Sequence, residues 1–439
     1  MKIARSARVL AAVAAVGLLA TACGNSLDSG AASESAAPAA SGAAAAATDA
    51  TLKVGLVVPV TGNLSAFGEP DQWVADQMQG WFDANPIDAG GKKVGVQIIV
   101  KDSQSDPKRA GEVAAELINT DKVDVVMALS TPETTVPVTQ QCEANAVPCI
   151  TGDTPWQPWF FGSGGKEDAP LKWSHHFFWG LEDITQVFMD MWNQVPNNKK
   201  VGGLFPNDSD GVAWSGAIPD MIKGAGYTMV DPGLFPLDTQ DFSSQIAAYK
   251  EANVEVLMGV VPPPVFAAFW QQAKQQGFNP KVVTMGKALE FPSAIEALGD
   301  LGTNLGVEVW WAPSYPTKSS LTGQSSADYA QAYIDGTGKQ PSMPLAFPEV
   351  LFEVLNAAVV KAGSTDPAAI NAAMEGLKLD TLVGTLDWAN GPTPNVAKSL
   401  LTGGQWRKTD GGQFPFDLTI VSNSIAPTVP TAGKMEPLS

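Results

Sequence analysis

The chain has 439 residues and a formal net charge of −18, with 45 acidic and 27 basic side chains. An acidic chain without a basic run is unsuited to binding nucleic acid, whose phosphates need lysine and arginine partners. Because single hydrophobic cores stop growing at about 250 to 300 residues, this length predicts two lobes or domains.

The N-terminal segment has the order of a secretory signal, and we expect a signal peptide over residues 1–22. Lys2, Arg5 and Arg8 precede a short apolar stretch, and small residues follow up to Cys23. A cysteine directly after small residues resembles the bacterial lipobox, which implies cleavage before Cys23 and a lipid anchor on its thiol. The alternative is an ordinary secretory signal. We expect no later stretch to be long and apolar enough to span a membrane.

The next segment, residues 23–50, is expected to be a flexible linker. It consists almost entirely of Ala, Ser, Gly, Asp and Glu, with Leu27 as its single large apolar residue. Such a segment cannot bury enough apolar surface to offset the entropy lost on ordering. With a lipid on Cys23, it would hold a globular body at the outer face of the cytoplasmic membrane.

After Cys23 the chain has two more cysteines, Cys142 and Cys149. An even pair in an exported protein favours a disulfide between them. The alternative is two buried free thiols.

From residue 51 onward, apolar strand-like runs alternate with helical patterns. The expected strands lie at 52–58, 94–101, 123–129, 148–151, 200–205, 228–234, 254–261 and 281–285. An alternation of strands and helices predicts parallel sheets covered by helices on both faces. The plan restarts near residue 200, so the predicted fold class is α/β with two successive units.

Several segments of the body resemble the type I periplasmic binding proteins, and among them the leucine/isoleucine/valine-binding group of ABC importers. These segments are Val54–Gly62 with Phe67 and Gly68, Asp102–Pro107 with the run 123–126, Asp241–Ile246, and Val383–Trp388. The resemblance implies two Rossmann-like α/β lobes joined by three crossover strands, with the ligand in the cleft between the lobes.

The resemblance also implies the lobe boundaries. Lobe one would comprise 51–178 plus 312–384, lobe two 179–311 plus 385–425, and a C-terminal tail 426–439. The crossovers would lie near Phe178, Trp311 and Thr385.

Loops that follow the lobe-one strands are expected to line the cleft, because ligands of open α/β sheets bind beyond the carboxyl ends of the strands. In the family, the residues that match Ser130, Gly152 and Thr154 hold a ligand carboxylate, and Thr131 lies in the same loop as Ser130. The residue that matches Phe67 packs on the ligand. The alternative for the hydroxyl residues is a role as helix caps.

Asp153 departs from the family pattern, because its carboxylate would repel a ligand carboxylate. It either points away, binds a donor group, or indicates a different ligand. Tryptophans near the predicted cleft loops either wall an apolar or aromatic ligand or pack in the core. They are Trp156, which follows the Asp153 loop directly, and Trp159, Trp179, Trp310 and Trp311.

Lobe two departs further from the family pattern. Asp210 and Pro262 stand at or near positions where the family has tyrosines, and Glu290 approximately matches the acid that binds the ligand ammonium group. The ligand class therefore stays open between an amino-acid-like molecule, a small amide or carboxylate, and an aromatic or apolar molecule.

The predicted function is that of an extracytoplasmic solute-binding lipoprotein, a monomer that delivers a small molecule to an ABC permease and ATPase complex. A sensory receptor of the same fold and a lipid-anchored hydrolase are the alternatives. The sequence has no nucleophile elbow and no phosphate-binding glycine loop. Its two histidines, His175 and His176, are adjacent and lack metal-ligand spacing. We therefore expect no catalysis, no metal and no cofactor.

Overall fold

The computed structural model describes residues 46–438. The strands are β1 (Ala50–Val58), β2 (Ile87–Ala89), β3 (Lys92–Asp102), β4 (Val125–Ala128), β5 (Cys149–Gly152), β6 (Ser174–Phe177), β7 (Lys200–Leu204), β8 (Thr228–Val230), β9 (Val256–Val261), β10 (Val282–Lys287), β11 (Gly306–Val309), β12 (Lys378–Thr381), β13 (Gly384–Asp387), β14 (Val396–Ala397), β15 (Thr402–Lys408) and β16 (Phe416–Ser422).

The helices are α1 (Ser65–Gly68), α2 (Asp71–Ala84), α3 (Pro107–Glu116), α4 (Pro132–Asn145), α5 (Trp156–Gly162), α6 (Leu181–Asn193), α7 (Ser209–Lys223), α8 (Ser243–Glu251), α9 (Pro263–Gln275), α10 (Pro292–Leu298), α11 (Ser326–Thr337), α12 (Ala346–Ala362) and α13 (Pro367–Met374). A π-helical turn, Leu117–Asp121, extends α3, and a 3₁₀ turn, Met343–Leu345, leads into α12.

The strands of the described part of the chain form two seven-stranded sheets, one in each lobe, and a separate hairpin. The lobe-one sheet has the order β14-β6-β5-β4-β1-β3-β2 and is parallel except for β2 at its edge. The lobe-two sheet has the order β16-β15-β11-β10-β9-β7-β8. Its strand β15 is antiparallel to both of its neighbours, β11 and β16, and the other pairs are parallel. The predicted α/β fold with two lobes is confirmed.

Strand β1 shows why these sequences form buried parallel sheets. It pairs in parallel with β3 on one side and β4 on the other. Val54, Leu56 and Val58 pack into the large core, while Val57 packs into a smaller core on the opposite face. Strands covered on both faces need apolar residues at successive positions, which is why this run shows no polar alternation.

The chain passes between the lobes three times, and the first two passages lie where the sequence predicts them. β6 leads through Phe178 into α6 of lobe two, and β11 leads through Trp311 back to lobe one. The prediction of a third crossover near Thr385 is wrong. Thr385 pairs with Asp380 in the β12–β13 hairpin, and β14 still pairs with β6 in the lobe-one sheet. The chain therefore returns to lobe two between β14 and β15.

Both predicted ends of the body also need correction. The amide N–H of Lys93 donates to Asp49, so residues before 51 already belong to lobe one. At the other end, the N–H of Leu438 donates to the carbonyl of Lys281, and the N–H of Glu436 donates to Gln405. The expected C-terminal tail thus packs along lobe two. The signal peptide, Cys23 and the linker as far as residue 45 lie outside the described residues.

One helix contradicts the expectation that no later stretch is long and apolar enough to span a membrane. Within residues 46–438, the 20-residue helix Met343–Ala362 meets that condition by length and composition, but 83% of its most apolar window is buried inside the protein. It is therefore a core helix of lobe one. Its carboxylate at Glu353 accepts hydrogen bonds from the backbone and side chain of Ser320, at 2.7 and 2.6 Å.

The predicted disulfide is not formed. Cys142 at the end of α4 and Cys149 at the start of β5 are both free and fully buried. They pack with Val113 and Val138 in the smaller core of lobe one, where a thiol acts as a small apolar side chain. Burial raises the pKa of the Cys142 thiol well above its usual value, and the neighbouring Cys149 side chain adds to this.

We expect two unreactive thiols in the native protein and two reactive ones after unfolding. Thiol labelling of the Cys23→Ser chain, without reductant, should modify neither Cys142 nor Cys149 under native conditions, because both side chains are fully buried and out of reach of the reagent. Labelling in denaturant should modify both. A mass that shows no label in denaturant would contradict the free-thiol state.

The two histidines are buried side by side on β6. The ring of His176 stacks on Trp159 with 4.4 Å between ring centres, and its Nε2 lies 2.7 Å from the carbonyl oxygen of Thr154. The Nε2 of His175 lies 3.2 Å from the side-chain oxygen of Asn371. Burial lowers the pKa of His175 to about 4 and that of His176 to about 3. Both are structural groups of lobe one.

We expect these histidines to destabilise the fold in acid. Below pH 6.5 the unfolded chain binds protons that the folded chain does not, so each histidine removes about 1.4 kcal/mol of stability per pH unit down to its folded pKa. The difference in unfolding free energy between the native sequence and His175→Gln should therefore fall at that rate between pH 6.5 and 4. Comparing the two proteins at each pH cancels the contribution of the carboxyl groups. A difference that stays constant with pH would contradict the assignment.

Candidate ligand-binding site between the two lobes

A cavity lies where the carboxyl ends of the strands of both sheets face each other, the place that open α/β sheets offer to ligands. Its volume is about 290 Å³. Its wall is formed by Phe67, Thr131, Asp153, Pro155, Phe178, Trp179, Asp210, Trp214, Val260, Lys287, Glu290, Glu308 and Trp310.

Five of the residues predicted from the sequence line this cavity: Phe67, Thr131, Asp153, Asp210 and Glu290. The first three come from lobe one and the last two from lobe two. The ring of Phe67 also meets the edge of Phe291 of lobe two, with 4.8 Å between ring centres. The lobes therefore contact each other directly beside the cavity.

The other five predicted residues do not line the cavity: Ser130, Gly152, Thr154, Trp156 and Pro262. The hydroxyl of Thr154 lies 3.1 Å from that of Thr135 on α4 and 3.3 Å from the carbonyl of Ser130, so it holds loops of lobe one together. A Cβ at Gly152 would meet Leu129 and Phe177, which places this glycine against the lobe-one core.

Trp156 and Pro262 make contacts outside this cavity. The indole N–H of Trp156 donates to Glu182 at the start of α6, which also holds Lys398 of the third crossover at 2.5 Å. Pro262 lines a neighbouring cavity of about 650 Å³ that also touches Lys287.

Ser130 is held in an unusual conformation at the rim of lobe one. Its φ of 103° lies in a region that side chains rarely adopt, and such strain is common near functional sites. Its buried hydroxyl has no hydrogen-bond partner among residues 46–438.

Lys287 is one of the cavity residues that the sequence analysis missed, as it also missed Trp214 and Glu308. Lys287 ends β10 with a φ of 60°, and its ammonium lies 2.6 Å from Asp210 and 3.4 Å from Asp208, both of lobe two. It also lies 3.8 Å from Glu133 of lobe one, whose other oxygen accepts from the amide of Ser209 across the cleft. The sequence evidence for Lys287 is its position directly after Gly286, the residue from which the family resemblance places Glu290.

The charges around Lys287 are strongly coupled. Burial lowers the pKa of Lys287, but the carboxylates of Asp210, Glu133 and Asp208 outweigh burial and hold this pKa well above its usual value. Burial raises the pKa of Asp210 to about 7, although the nearby ammonium opposes that rise. Lys287 is therefore a charged group that ties Glu133 of lobe one to lobe two.

Three further carboxyl groups in the cavity form no salt bridge with any of residues 46–438: Asp153, Glu290 and Glu308. The ammonium of Lys287 acts on Glu290 only from a longer distance, where it lowers the pKa of that group. Each of the three carboxyl groups is at most 6% exposed, and each has one oxygen without a hydrogen-bond partner in the described part of the chain. Burial raises the pKa of all three, that of Glu290 to about 7. The charge of Glu290 raises the pKa of Glu308 further, since the two groups interact.

The cavity also contains unpaired donors. The indole N–H groups of Trp179, Trp214 and Trp310 are buried and find no acceptor within residues 46–438. Leaving a buried donor or acceptor unpaired costs about 1 to 3 kcal/mol. A cluster of such groups therefore indicates a place where a bound molecule supplies the missing hydrogen bonds. Donors and acceptors from both lobes thus converge on one small cavity.

Two α/β lobes with a polar cavity between the carboxyl ends of their strands define a two-lobed binding protein. The family model described as "Periplasmic binding protein" matches residues 51–408. The chain belongs to this family, in its type I, leucine/isoleucine/valine-binding branch. Members of this family and its structural neighbours are binding proteins rather than enzymes.

Known proteins resemble this chain at low sequence identity. The "Leu/Ile/Val-binding protein homolog 8" of Brucella abortus (strain 2308) is 22% identical over 251 residues, which cover 54% of this chain and 58% of that relative. The match therefore spans little more than half of the relative's length.

Solved structures show the same fold. The leucine-binding protein LivK of Thermotoga maritima MSB8 aligns with a TM-score of 0.71 and 20% identity, over 85% of this chain and 99% of its own. A solute-binding protein of an ABC transporter from Rhodopseudomonas palustris BisB5, in complex with 3,4-dihydroxybenzoic acid, aligns with a TM-score of 0.68 and 19% identity, over 85% and 98%.

We expect Glu133→Gln to favour separation of the lobes. The substitution removes the lobe-one charge that faces Lys287 but keeps an oxygen for the amide of Ser209. The loss of one charged partner should weaken lobe closure by roughly 1 to 3 kcal/mol. Small-angle scattering of the ligand-free protein should then give a larger radius of gyration than for the native sequence.

Glu112→Gln is the matched control, because Glu112 forms an exposed pair with Lys108 on the surface of lobe one. Its scattering curve should match that of the native protein. Identical curves for all three proteins would show that the Glu133–Lys287 contact does not hold the lobes together.

Proposed function

We propose that this protein is an extracytoplasmic solute-binding lipoprotein, anchored through Cys23, that captures a small molecule between its lobes and delivers it to the permease and ATPase of an ABC importer. The observation that carries the proposal is the cavity at the carboxyl ends of both sheets, with buried and unpaired polar groups from each lobe. Membership of the periplasmic binding protein family supports it.

The placement of these groups supports capture by closure. A ligand that contacts lobe one through Asp153 and Phe67 gains further contacts only when lobe two brings Glu290 and Trp214 to it. A ligand shifts an open–closed equilibrium by the difference in its affinity for the two forms, so contacts available only on closure drive the movement. The closed form is then the one that a permease can recognise.

The cavity also limits the size of the ligand. A volume of about 290 Å³ lies at the lower end of the range of roughly 300 to 1,000 Å³ found for ligand pockets, so the ligand is a small molecule. Amino acids, small amides and monocyclic compounds are of this size.

A ligand screen followed by one cavity substitution tests the proposal. Thermal denaturation with a panel of small amino acids, amides, amines and aromatic acids should identify at least one compound that raises the melting temperature. A ligand present at 100 times its Kd stabilises the folded protein by about 2.7 kcal/mol.

Trp214→Leu should then weaken binding of that compound by roughly tenfold or more, because it removes a buried indole from the cavity wall. Trp192→Leu is the matched control, since Trp192 is a fully buried tryptophan that does not line the cavity. Equal losses of affinity in both variants would place the ligand outside the cavity, and turnover of the compound would refute a binding function.

A further inference from the structure

We propose that the ligand of this cleft is a small organic cation that also carries an uncharged oxygen acceptor, as in an amino alcohol or an amino amide. The inference rests on the proposed function and names its substrate class. The groups that would hold the ligand are three carboxyl groups, those of Asp153, Glu290 and Glu308, and three indoles, those of Trp179, Trp214 and Trp310.

The charge balance of the cavity is the first argument. Lys287 is the single basic residue in its wall within the described part of the chain, and its ammonium is engaged by Asp210 at 2.6 Å. Asp153, Glu290 and Glu308 form no salt bridge within residues 46–438, and each has one buried oxygen without a hydrogen-bond partner there. A bound cation would supply the missing partner for these oxygens, whereas an anion would add a further negative charge to the cavity.

The position of Asp153 is the second argument. The loop after β5 is where the family resemblance implies a ligand carboxylate, yet here it presents a buried carboxyl group to the cavity, while the hydroxyl of Thr154 is turned to Thr135. One side of the site therefore offers an acceptor in place of donors. A ligand that fits this side carries positive charge or N–H groups there.

The indoles are the third argument. Aromatic rings attract cations through the negative face of the ring, and the attraction strengthens when both groups are removed from water. The unpaired N–H groups of Trp179, Trp214 and Trp310 require an acceptor, which a hydroxyl or amide oxygen of the ligand provides without bringing a negative charge. These two needs together define the proposed ligand class.

Binding of a cation should release protons. The titratable groups that face the cavity or one another across it are Asp71, Glu133, Asp153, Asp208, Asp210, Lys287, Glu290 and Glu308. Two carboxyl groups in one buried site favour retention of a proton, because the charge of Glu290 disfavours ionisation of Glu308. A cation favours the ionised forms, so it expels that proton. Affinity for a cation should therefore rise with pH, by about tenfold per pH unit for each proton released.

Calorimetry with probes of one shape and three charges tests this inference. Choline, its neutral carbon analogue 3,3-dimethylbutan-1-ol and the anion 3,3-dimethylbutanoate form one series, and glycinamide adds a primary amine with an amide oxygen. Titrations at pH 5.5 to 8, in two buffers of different ionisation enthalpy, measure both Kd and the protons released. We expect choline or glycinamide to bind more tightly than the neutral and anionic probes, with release of protons and an affinity that rises with pH.

Leucine and 3,4-dihydroxybenzoate complete the probe panel and separate the two proposals. If an anionic, zwitterionic or neutral probe binds most tightly, or if affinity falls as pH rises, the cation inference is overturned while solute binding stands. If no probe of any charge binds or raises the melting temperature, both the inference and the proposed function are overturned.

Substitutions distinguish a ligand-binding role from a structural one. Asp153→Asn and Glu308→Gln should each weaken cation binding by roughly 10- to 150-fold, the loss expected for one charged hydrogen bond. The same substitutions should raise the melting temperature of the ligand-free protein, because burial disfavours ionisation of these two carboxyl groups and an uncharged amide avoids that cost.

Glu353→Gln is the matched control, since Glu353 is a fully buried carboxyl group of α12 outside this cavity. Its affinity for the cation should equal that of the native sequence. Two sites are substituted so that a folding failure of one variant leaves the other to decide. Unchanged cation affinity in a folded Asp153→Asn or Glu308→Gln protein would overturn the inference.

Discussion

The ammonium group of Lys287 is the contact on which the closed arrangement of this molecule depends. It lies in a cleft of buried carboxyl groups and touches acids from both lobes, so it compensates part of a negative charge that would otherwise separate them. Burying an ion is costly, and an ion pair recovers that cost only with close geometry and further hydrogen bonds. Here Asp210 provides the close geometry, and the amide of Ser209 gives Glu133 a second partner across the cleft.

Asp153, Glu290 and Glu308 form no salt bridge with Lys287, and the cavity lacks hydrogen-bond partners for one oxygen of each among residues 46–438. A fold can tolerate a few buried and unpaired polar groups, but they concentrate where function requires them. In this protein, acceptors and indole donors without partners come from both lobes and meet in one cavity. A ligand that supplies the missing partners would stabilise this site and thereby favour closure of the lobes around it.

The sequence predicts much of this fold, because buried parallel strands and amphipathic helices have clear periodicities. The first two crossovers follow from the family resemblance. The third does not, since β14 is only two residues long and pairs with β6, far away in the sequence. The Val383–Trp388 motif resembles the crossover of the family, but in this protein it forms part of a hairpin and the start of a short helical turn.

The candidate site was predicted in part, for a physical reason. Residues within a few positions of a strand's carboxyl end, such as Asp153 and Glu290, lie near the cleft whatever the direction of their side chains. Whether a side chain points into the cavity depends on local bonds between loops, as the Thr154–Thr135 contact shows, and sequence spacing does not reveal these. Lys287 was missed because a lone lysine at a strand end gives no pattern, and only folding brings Glu133 to it.

The apolar helix of lobe one has a consequence for the route by which an exported chain reaches its destination. Such a chain crosses the membrane unfolded, and a 20-residue apolar segment risks lodging in the bilayer on the way. Glu349 and Glu353 interrupt this segment, and a charged carboxylate at the centre of a nascent span opposes insertion by about 2.5 to 3.5 kcal/mol. The same two acids that are buried in the folded lobe therefore make this segment a poorer membrane span than its length and hydropathy alone suggest.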